Sequence, residues 1–378
     1  MRQVEDSVSY SIFGKVSEMA SRGVKVYPLA IGEPSFSTPK TIIEKAYESM
    51  KAGNTHYVSS FGIPEVREAI RDKVRRRNGI KAEIPNTMFM TTKLAVYASI
   101  VAATNEGDQV LIPDPGYFYS QPVLLAGASP VSYRLAEDYS LDLEAIKRKT
   151  TRKTKAIIVN TPSNPTGKMF GRKELKSLLE FCKERNVSVI SDESYEDLVY
   201  GKEHVSVGSL ESEPSSVISL FSLSKSFAMT GWRAGYVVAN KQTIRTMVKF
   251  IEHALSCFPP FIQAASAHAL RNGEASTRRF REELRERRDL MERMMKKIPR
   301  LHFTKPEGAF YAFPAYDARM SSLDFAQKLL ESKGVAVLPG RIFGPAGEKH
   351  LRISFAAPRE TIGEGMQLLG EFIKSLPR

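Results

Sequence analysis

The chain has 378 residues, with 55 Lys and Arg against 42 Asp and Glu, for a formal net charge of +13. That length accommodates one large domain and one smaller one around a substantial core. No apolar run approaches the roughly 18–20 residues of a membrane span and no signal-peptide core opens the chain, so neither an anchor nor export is expected.

The positive excess is spread along helical stretches instead of being gathered in a tail, which argues against a nucleic-acid partner. Its densest part, Arg278 to Lys297, is punctuated by Glu282, Glu283, Glu286, Asp289 and Glu292 and reads as a solvated helix face. Cys182 and Cys257 form no redox or metal pair, which suits a reducing cytosol. None of the six histidines pairs at metal spacing and no G-x-G-x-x-G occurs, so neither a metal centre nor a dinucleotide site is expected.

In chain order, Val8–Arg22 reads as an amphipathic helix. From Thr87 to Asn240 short apolar runs alternate with helical patterns. The strands expected are Thr87–Thr91, Gln109–Pro113, Pro130–Arg134, Ala156–Asn160, Val187–Asp192, Val217–Ser222 and Gly235–Ala239. Arg172–Arg185 is a helix between two of them, with Leu175, Leu178, Leu179 and Cys182 on one face. Buried strands alternating with helices predict an α/β fold with a mainly parallel, doubly wound sheet, and ligands then sit beyond the carboxyl ends of the strands. After a long helix over Arg278–Ile298 come strand-like Gly308–Pro314, Val335–Pro339 and Leu351–Phe355, a helix near Leu323–Ser332 and a closing amphipathic helix. They predict a second, smaller α+β domain that draws on both ends of the chain. The boundaries expected are 1–40 for the arm and part of the small domain, 41–280 for the large domain and 281–378 for the rest of the small one.

Polar residues gather at the strand ends. Thr91-Thr92-Lys93 opens a helix whose free N–H groups and dipole suit a phosphate, although an ordinary helix cap explains Thr92 as well. Tyr117, in the stiff loop Pro113–Tyr119, is suited to stacking flat on a heteroaromatic ring or to filling core. Two prolines brace Asn164 within Asn160–Gly167, a run that also reads as a plain rigid turn. Asp192 ends a strand, where a buried carboxylate would keep a pyridine nitrogen protonated; the alternative is a helix N-cap. Tyr195, three residues on, would reach a phenolic oxygen of the same ring. Arg352 sits inside the apolar run Leu351–Phe355, as a fork for a carboxylate or as half of a structural salt bridge.

The most informative run is Ser222–Gly235, S-L-S-K-S-F-A-M-T-G-W-R-A-G. Lys225 lies among small and hydroxyl side chains directly after a strand, with Arg233 eight positions on. Small neighbours leave room for a bulky adduct on the lysine, and hydroxyls with an arginine suit phosphate oxygens, as a Schiff-base lysine requires.

Together these segments resemble class I aminotransferases of pyridoxal phosphate fold type I, over nearly the whole chain and in the family's order. The resemblance implies pyridoxal 5′-phosphate held covalently by Lys225, with Asp192 on the pyridinium nitrogen. Tyr195 and Asn164 would hold the ring's phenolic oxygen, with Tyr117 stacked on the ring. Thr92, Lys93, Ser222 and Arg233 would cradle the phosphate. Arg352, with Asn164 and the Gly32 backbone of Gly32-Glu33-Pro34, would bind the substrate α-carboxylate. Tyr57, before Phe61–Arg67, would reach the phosphate of a neighbouring subunit, which implies a homodimer.

Two departures stand out. The family often carries glycine where this chain has Thr91-Thr92, and β-branched residues resist positive φ. Tyr117 stands where tryptophan or phenylalanine is commoner. The activity expected is a cytoplasmic aminotransferase moving an amino group from an L-amino acid to a 2-oxo acid such as 2-oxoglutarate. Aspartate is the default donor and aromatic donors follow, since Tyr10, Phe13, Phe36, Phe258 and Phe261 would line an apolar pocket or simply pack. The alternatives are a C–S β-lyase on the same fold and a cofactor-bearing regulator without catalysis.

Overall fold

The computed structural model describes residues 8–377, with side chains from Ser11 onward. Seven strands form the main sheet: β1 (Thr87–Phe89), β2 (Gln109–Asp114), β3 (Ser129–Arg134), β4 (Thr154–Asn160), β5 (Ser188–Asp192), β6 (Val217–Ser222) and β7 (Gly235–Val238). They lie in the order β1-β7-β6-β5-β4-β2-β3. Neighbours from β6 to β3 are parallel, as expected, whereas β7 runs antiparallel to both β6 and β1. The link from β6 to β7 carries only one helical turn, Leu223–Ser226, too short for the crossover that parallel pairing needs. β1 stops two residues before the expected Thr91, because the chain turns there into the helix Thr92–Ala103.

Side chains alternate between two cores as the pleat dictates. Val110, Ile112, Ala156, Ile158, Ile190, Ile218 and Leu220 join the core shared with helices Thr92–Ala103 and Lys241–Ala254. Leu111, Ile157, Val159, Val189 and Val217 face the opposite side, under the helix Arg172–Glu184.

The long helix runs over Glu274–Met295 and sends Leu284, Met291 and Met295 into a separate core with Phe310, Phe325, Leu351 and Ile353. Its charges are not all solvated. Arg287 and Arg288 are buried: Arg287 donates to the Ala356 carbonyl at 2.6 Å and pairs with Glu283 at 2.8 Å, and Arg288 lies over the Tyr200 ring. Interleaved charge does not reveal which arginines meet carbonyls and rings contributed from elsewhere in the chain.

The N-terminal segment packs onto this part of the chain, as expected: Tyr27 and Leu29 join the second core, and the first helix closes a small core beside it. Tyr27–Pro28 pairs with Val335–Ala336, and the helix Val8–Ser21 lays Ile12, Phe13, Val16 and Met19 against Phe313, Leu338 and Phe343. The strand-like run 335–339 bends at Val337, so that Val335–Ala336 pairs with Tyr27–Pro28 and β9 (Leu338–Pro339) pairs with β10 (Leu351–Ser354). Of Gly308–Pro314 only β8 (Tyr311–Ala312) is strand, also against β10.

Candidate active site

The carboxyl ends of β4, β5 and β6 carry Asn160, Asp192 and Ser222, and strand register sets Asn160 beside Asp192. The Asn160 amide donates to the Asp192 carbonyl at 2.9 Å, while its own oxygen accepts from the Asn164 N–H at 2.7 Å. Asn160 therefore ties the turn that presents Asn164 to the end of β5. The peptide bonds Thr161-Pro162 and Asn164-Pro165 within that turn are both cis.

No helix follows Asp192, so the helix-cap reading of that residue is set aside; residues 194–197 form a turn. Its carboxylate is buried. Oδ1 accepts from the Ser194 N–H at 3.1 Å and the Ser194 hydroxyl at 2.5 Å, and Oδ2 accepts from the Tyr119 hydroxyl at 2.8 Å. Burial pushes the acid above the ordinary carboxylate range, and the Ser194 and Tyr119 donors oppose that shift. Tyr195 is buried edge-on to Phe310, with its hydroxyl 3.0 Å from that of Tyr311. Tyr117 sits beside Tyr119, ring centroids 5.6 Å apart.

Lys225 lies in the short helical turn after β6, which Ser222 caps by accepting from the Ser224 N–H at 3.2 Å. Its Nζ donates to the Gly32 carbonyl at 2.7 Å and stands 5.9 Å from the Phe310 ring centre. Burial lowers its pKa to about 8; Glu33 opposes that shift and the Arg352 and Arg233 charges add to it. Unprotonated amine is the nucleophile, so trapping of an aromatic aldehyde on Lys225 by borohydride should speed up as pH rises, with a midpoint near 8. A solvated lysine would instead give a midpoint of about 10.4. Peptide mapping of the tagged apo-protein across pH separates the two.

Gly32 must be glycine for a steric reason: a Cβ there would stand 2.4 Å from the Tyr311 hydroxyl. The same segment holds Arg352, which donates to the Ala30 carbonyl at 2.7 Å and to the Asn164 side-chain oxygen at 3.1 Å. Its guanidinium lies 4.2 Å from the Tyr311 ring centre and is 3 % exposed. No carboxylate pairs with it among the described residues, and its Nε has no hydrogen-bond partner. A structural salt bridge is thereby excluded. What remains is a buried cation fixed by neutral oxygens and aromatic faces, which suits an incoming carboxylate.

A third corner gathers Thr91, Thr92, Ser222 and Arg233. Ser222 pairs in register with Gly235, whose carbonyl accepts from the Met90 N–H at 3.0 Å. The Thr92 hydroxyl donates to the Phe221 carbonyl at 3.0 Å. Arg233 donates to the Thr91 hydroxyl at 2.9 Å and to the Thr230 carbonyl at 2.5 Å. Thr91 has φ −61°, so the paired threonines need no left-handed backbone; the positive φ falls on Arg233 at 57° and Ala228 at 52°. Lys93 is exposed in the first turn of the same helix.

Tyr57 stands apart, 89 % exposed. The expected aromatic set does not converge on one pocket. Phe13 packs in the small core, Phe36 stacks on Phe280 at 4.4 Å and Phe258 meets Phe89 edge-on; the side chain of Tyr10 lies outside the described residues. Tyr119, Ser194, Tyr311 and Phe310 acquire places at the site that the sequence did not assign to them. Tyr119 had a local signal, lying two positions beyond Tyr117 on one stiff loop. Tyr311 had none, since its partners Gly32, Tyr195 and Arg352 are all distant in sequence.

At the carboxyl edge of a doubly wound sheet the fold thus brings together a lysine amine, a buried carboxylate and an arginine without a carboxylate partner among the described residues. The chain matches the family model for aminotransferases of class I and II over residues 24–369. It is 38 % identical to an aspartate aminotransferase of Pyrococcus abyssi, over 98 % of this chain and 97 % of that one. It is 36 % identical to an aromatic-amino-acid aminotransferase of Thermococcus litoralis, with the same coverage of 98 % and 97 %. The solved aspartate aminotransferase of Thermus thermophilus with maleate superposes at a TM-score of 0.93, with 32 % identity over 98 % of this chain and 97 % of that one. This protein belongs to the class I and II aminotransferases, and it is an aminotransferase with their fold.

Proposed function

We propose that the protein carries pyridoxal 5′-phosphate on Lys225 and transfers the amino group of an L-amino acid to a 2-oxo acid in two half-reactions. The observation that carries this reading is the common anchorage of Lys225 on Gly32 and Arg352 on Ala30. An amine poised near pH 8 and an unpaired guanidinium thus share one short segment.

The residues present fit the cofactor. Asp192 is a buried acceptor suited to the pyridinium nitrogen, with Asn164 and Tyr195 for the phenolic oxygen and Tyr117 for the ring face. Thr92 and Lys93 at a helix N-terminus, with Ser222 and Arg233 beside them, suit the phosphate. When bound, the cofactor supplies the electron sink for the pair left by the α-hydrogen. Arg352, with Asn164 and the Gly32 backbone, holds the donor's α-carboxylate and thereby orients its Cα–H bond. Lys225 Nζ takes the proton from that carbon and gives it up again, acting as base and then acid; a pKa near 8 leaves a usable fraction of free amine at neutral pH.

Aspartate is the proposed donor, supported by the relatives named aspartate aminotransferase at 38 % and 34 % identity, and 2-oxoglutarate is the proposed acceptor. An aromatic donor is a second reading, favoured by the Phe118–Phe343 stack at 5.2 Å, since Phe343 also lies 5.2 Å from the Arg352 guanidinium. A homodimer is proposed from Tyr57 together with Ile43, Tyr47 and Met50, which are exposed along one helix. Domain limits of 41–280 and 281–378, the latter with residues 1–40, are proposed from the separation of the cores. A cytoplasmic location is proposed from the two free cysteines; among the described residues no helix is long and apolar enough to cross a membrane.

Mixing the holo-protein with single amino acids tests the reading. Aspartate should bleach the visible absorbance within one turnover, and 2-oxoglutarate should restore it. Release of pyruvate and ammonia without an acceptor acid would instead indicate a lyase.

A further inference from the structure

Asp192 accepts three hydrogen bonds before any ligand is considered: two on Oδ1 from Ser194 and one on Oδ2 from the Tyr119 hydroxyl. A carboxylate offers about four acceptor positions. One remains, on the oxygen that Tyr119 already engages. Tyr119 is 1 % exposed, its ring sits edge-on against Tyr117, and the loop that bears it is closed by a Tyr119 N–H bond to the Tyr117 carbonyl at 2.6 Å.

We infer that Tyr119 is a positioning residue for the cofactor: its hydroxyl keeps Asp192 ionised and leaves a single, oriented acceptor position for the ring nitrogen. The inference rests on the cofactor reading above. The titratable groups facing Asp192 are Tyr119 and Glu193, and Glu193 pushes the acid further up. Those facing Tyr119 are Asp192, Tyr117 and Tyr195. Burial and the adjacent carboxylate hold the Tyr119 phenol far above its usual value, so it stays a donor across the working pH range. Among the described residues no cation figures in the groups that act on Asp192, which leaves the phenol and the Ser194 donors to stabilise the buried anion. Through its edge contact the same ring also braces the Tyr117 face.

Titrating apo-protein with pyridoxal phosphate, by absorbance and by quenching of Trp232 fluorescence, tests this for Tyr119→Phe against the unaltered chain. A hydrogen bond to a charged group is strong enough that its loss should raise the dissociation constant about tenfold. The pH below which the cofactor is released should rise by about one unit, because Asp192 then protonates more readily. Binding that is unchanged in both respects, with the visible band still formed, overturns the role of Tyr119 alone. Absence of the band from the unaltered protein removes the cofactor reading and this inference with it. Circular dichroism of the apo-forms verifies folding. If Tyr119→Phe does not fold, 3-fluorotyrosine at position 119 keeps the ring and a more acidic donor. It should then lower the release pH, and an unchanged release pH counts against the inference.

Discussion

Replacing Lys225 with alanine should abolish the visible absorbance and lower turnover by about four orders of magnitude or more, since nucleophile and general base are lost together. Borohydride reduction followed by mass mapping should find the pyridoxyl tag on the Lys225 peptide of the parent and on no peptide of the variant. Retention of absorbance and turnover in the variant would end the proposal. The same lysine carries a stability signature of definite sign. Its folded pKa of about 8 lies below its unfolded value, so the unfolded chain binds more protons between about pH 8 and 10.4 and apo-protein stability should rise with pH through that window. Below it the full cost of burying the ammonium is present. Lys225→Met, which keeps the aliphatic stem, should therefore stabilise the apo-protein at pH 7 by about 3 kcal/mol, and the gain should vanish above about pH 10.4. Denaturant unfolding at the two pH values measures both.

Asp192→Ala should leave the cofactor weakly held and the enzyme nearly inert, with turnover reduced about 10²- to 10⁴-fold. Removing one partner of a buried charge pair typically costs 3–5 kcal/mol. The change also strands the Tyr119 hydroxyl and the two Ser194 donors, each at about 1–3 kcal/mol if no water replaces the acceptor. Asp192→Asn separates these effects. It retains an acceptor for part of that network but loses the charge, so folding should be spared while turnover falls nearly as far. Normal activity in the asparagine variant would contradict a role for the carboxylate charge at the ring nitrogen.

The extent to which this site can be read in advance follows from which signals are local. Lys225, Ser222 and Arg233 lie within a dozen residues of one another, and their spacing around a strand end carries the chemistry directly. Asp192 and Asn160 end apolar runs, and the parallel pairing that sets them side by side follows from strand–helix alternation. Arg352 was conspicuous because a guanidinium inside an apolar strand demands a partner. That the partners would be an amide, a carbonyl and aromatic faces, with no carboxylate, depends on residues 30, 164, 311 and 343. The Thr91-Thr92 departure looked like a backbone problem. The left-handed residues are instead Arg233 and Ala228, which no propensity would have selected.

By itself the sequence determined the strand–helix alternation and the edge of the sheet where polar residues gather, and it singled out the lysine proposed to carry the cofactor. These depend on periodicity and on side chains a few residues apart, which the chain carries in any compact arrangement. Only the tertiary structure decided that β7 would run antiparallel, that Arg287 and Arg288 would be buried, and that Tyr119 would hold Asp192 while Gly32 and Ala30 anchored the lysine and the arginine. Burial and hydrogen-bond partnership are pair properties of segments tens to hundreds of residues apart, and a buried polar group takes its pKa and its orientation from those distant partners.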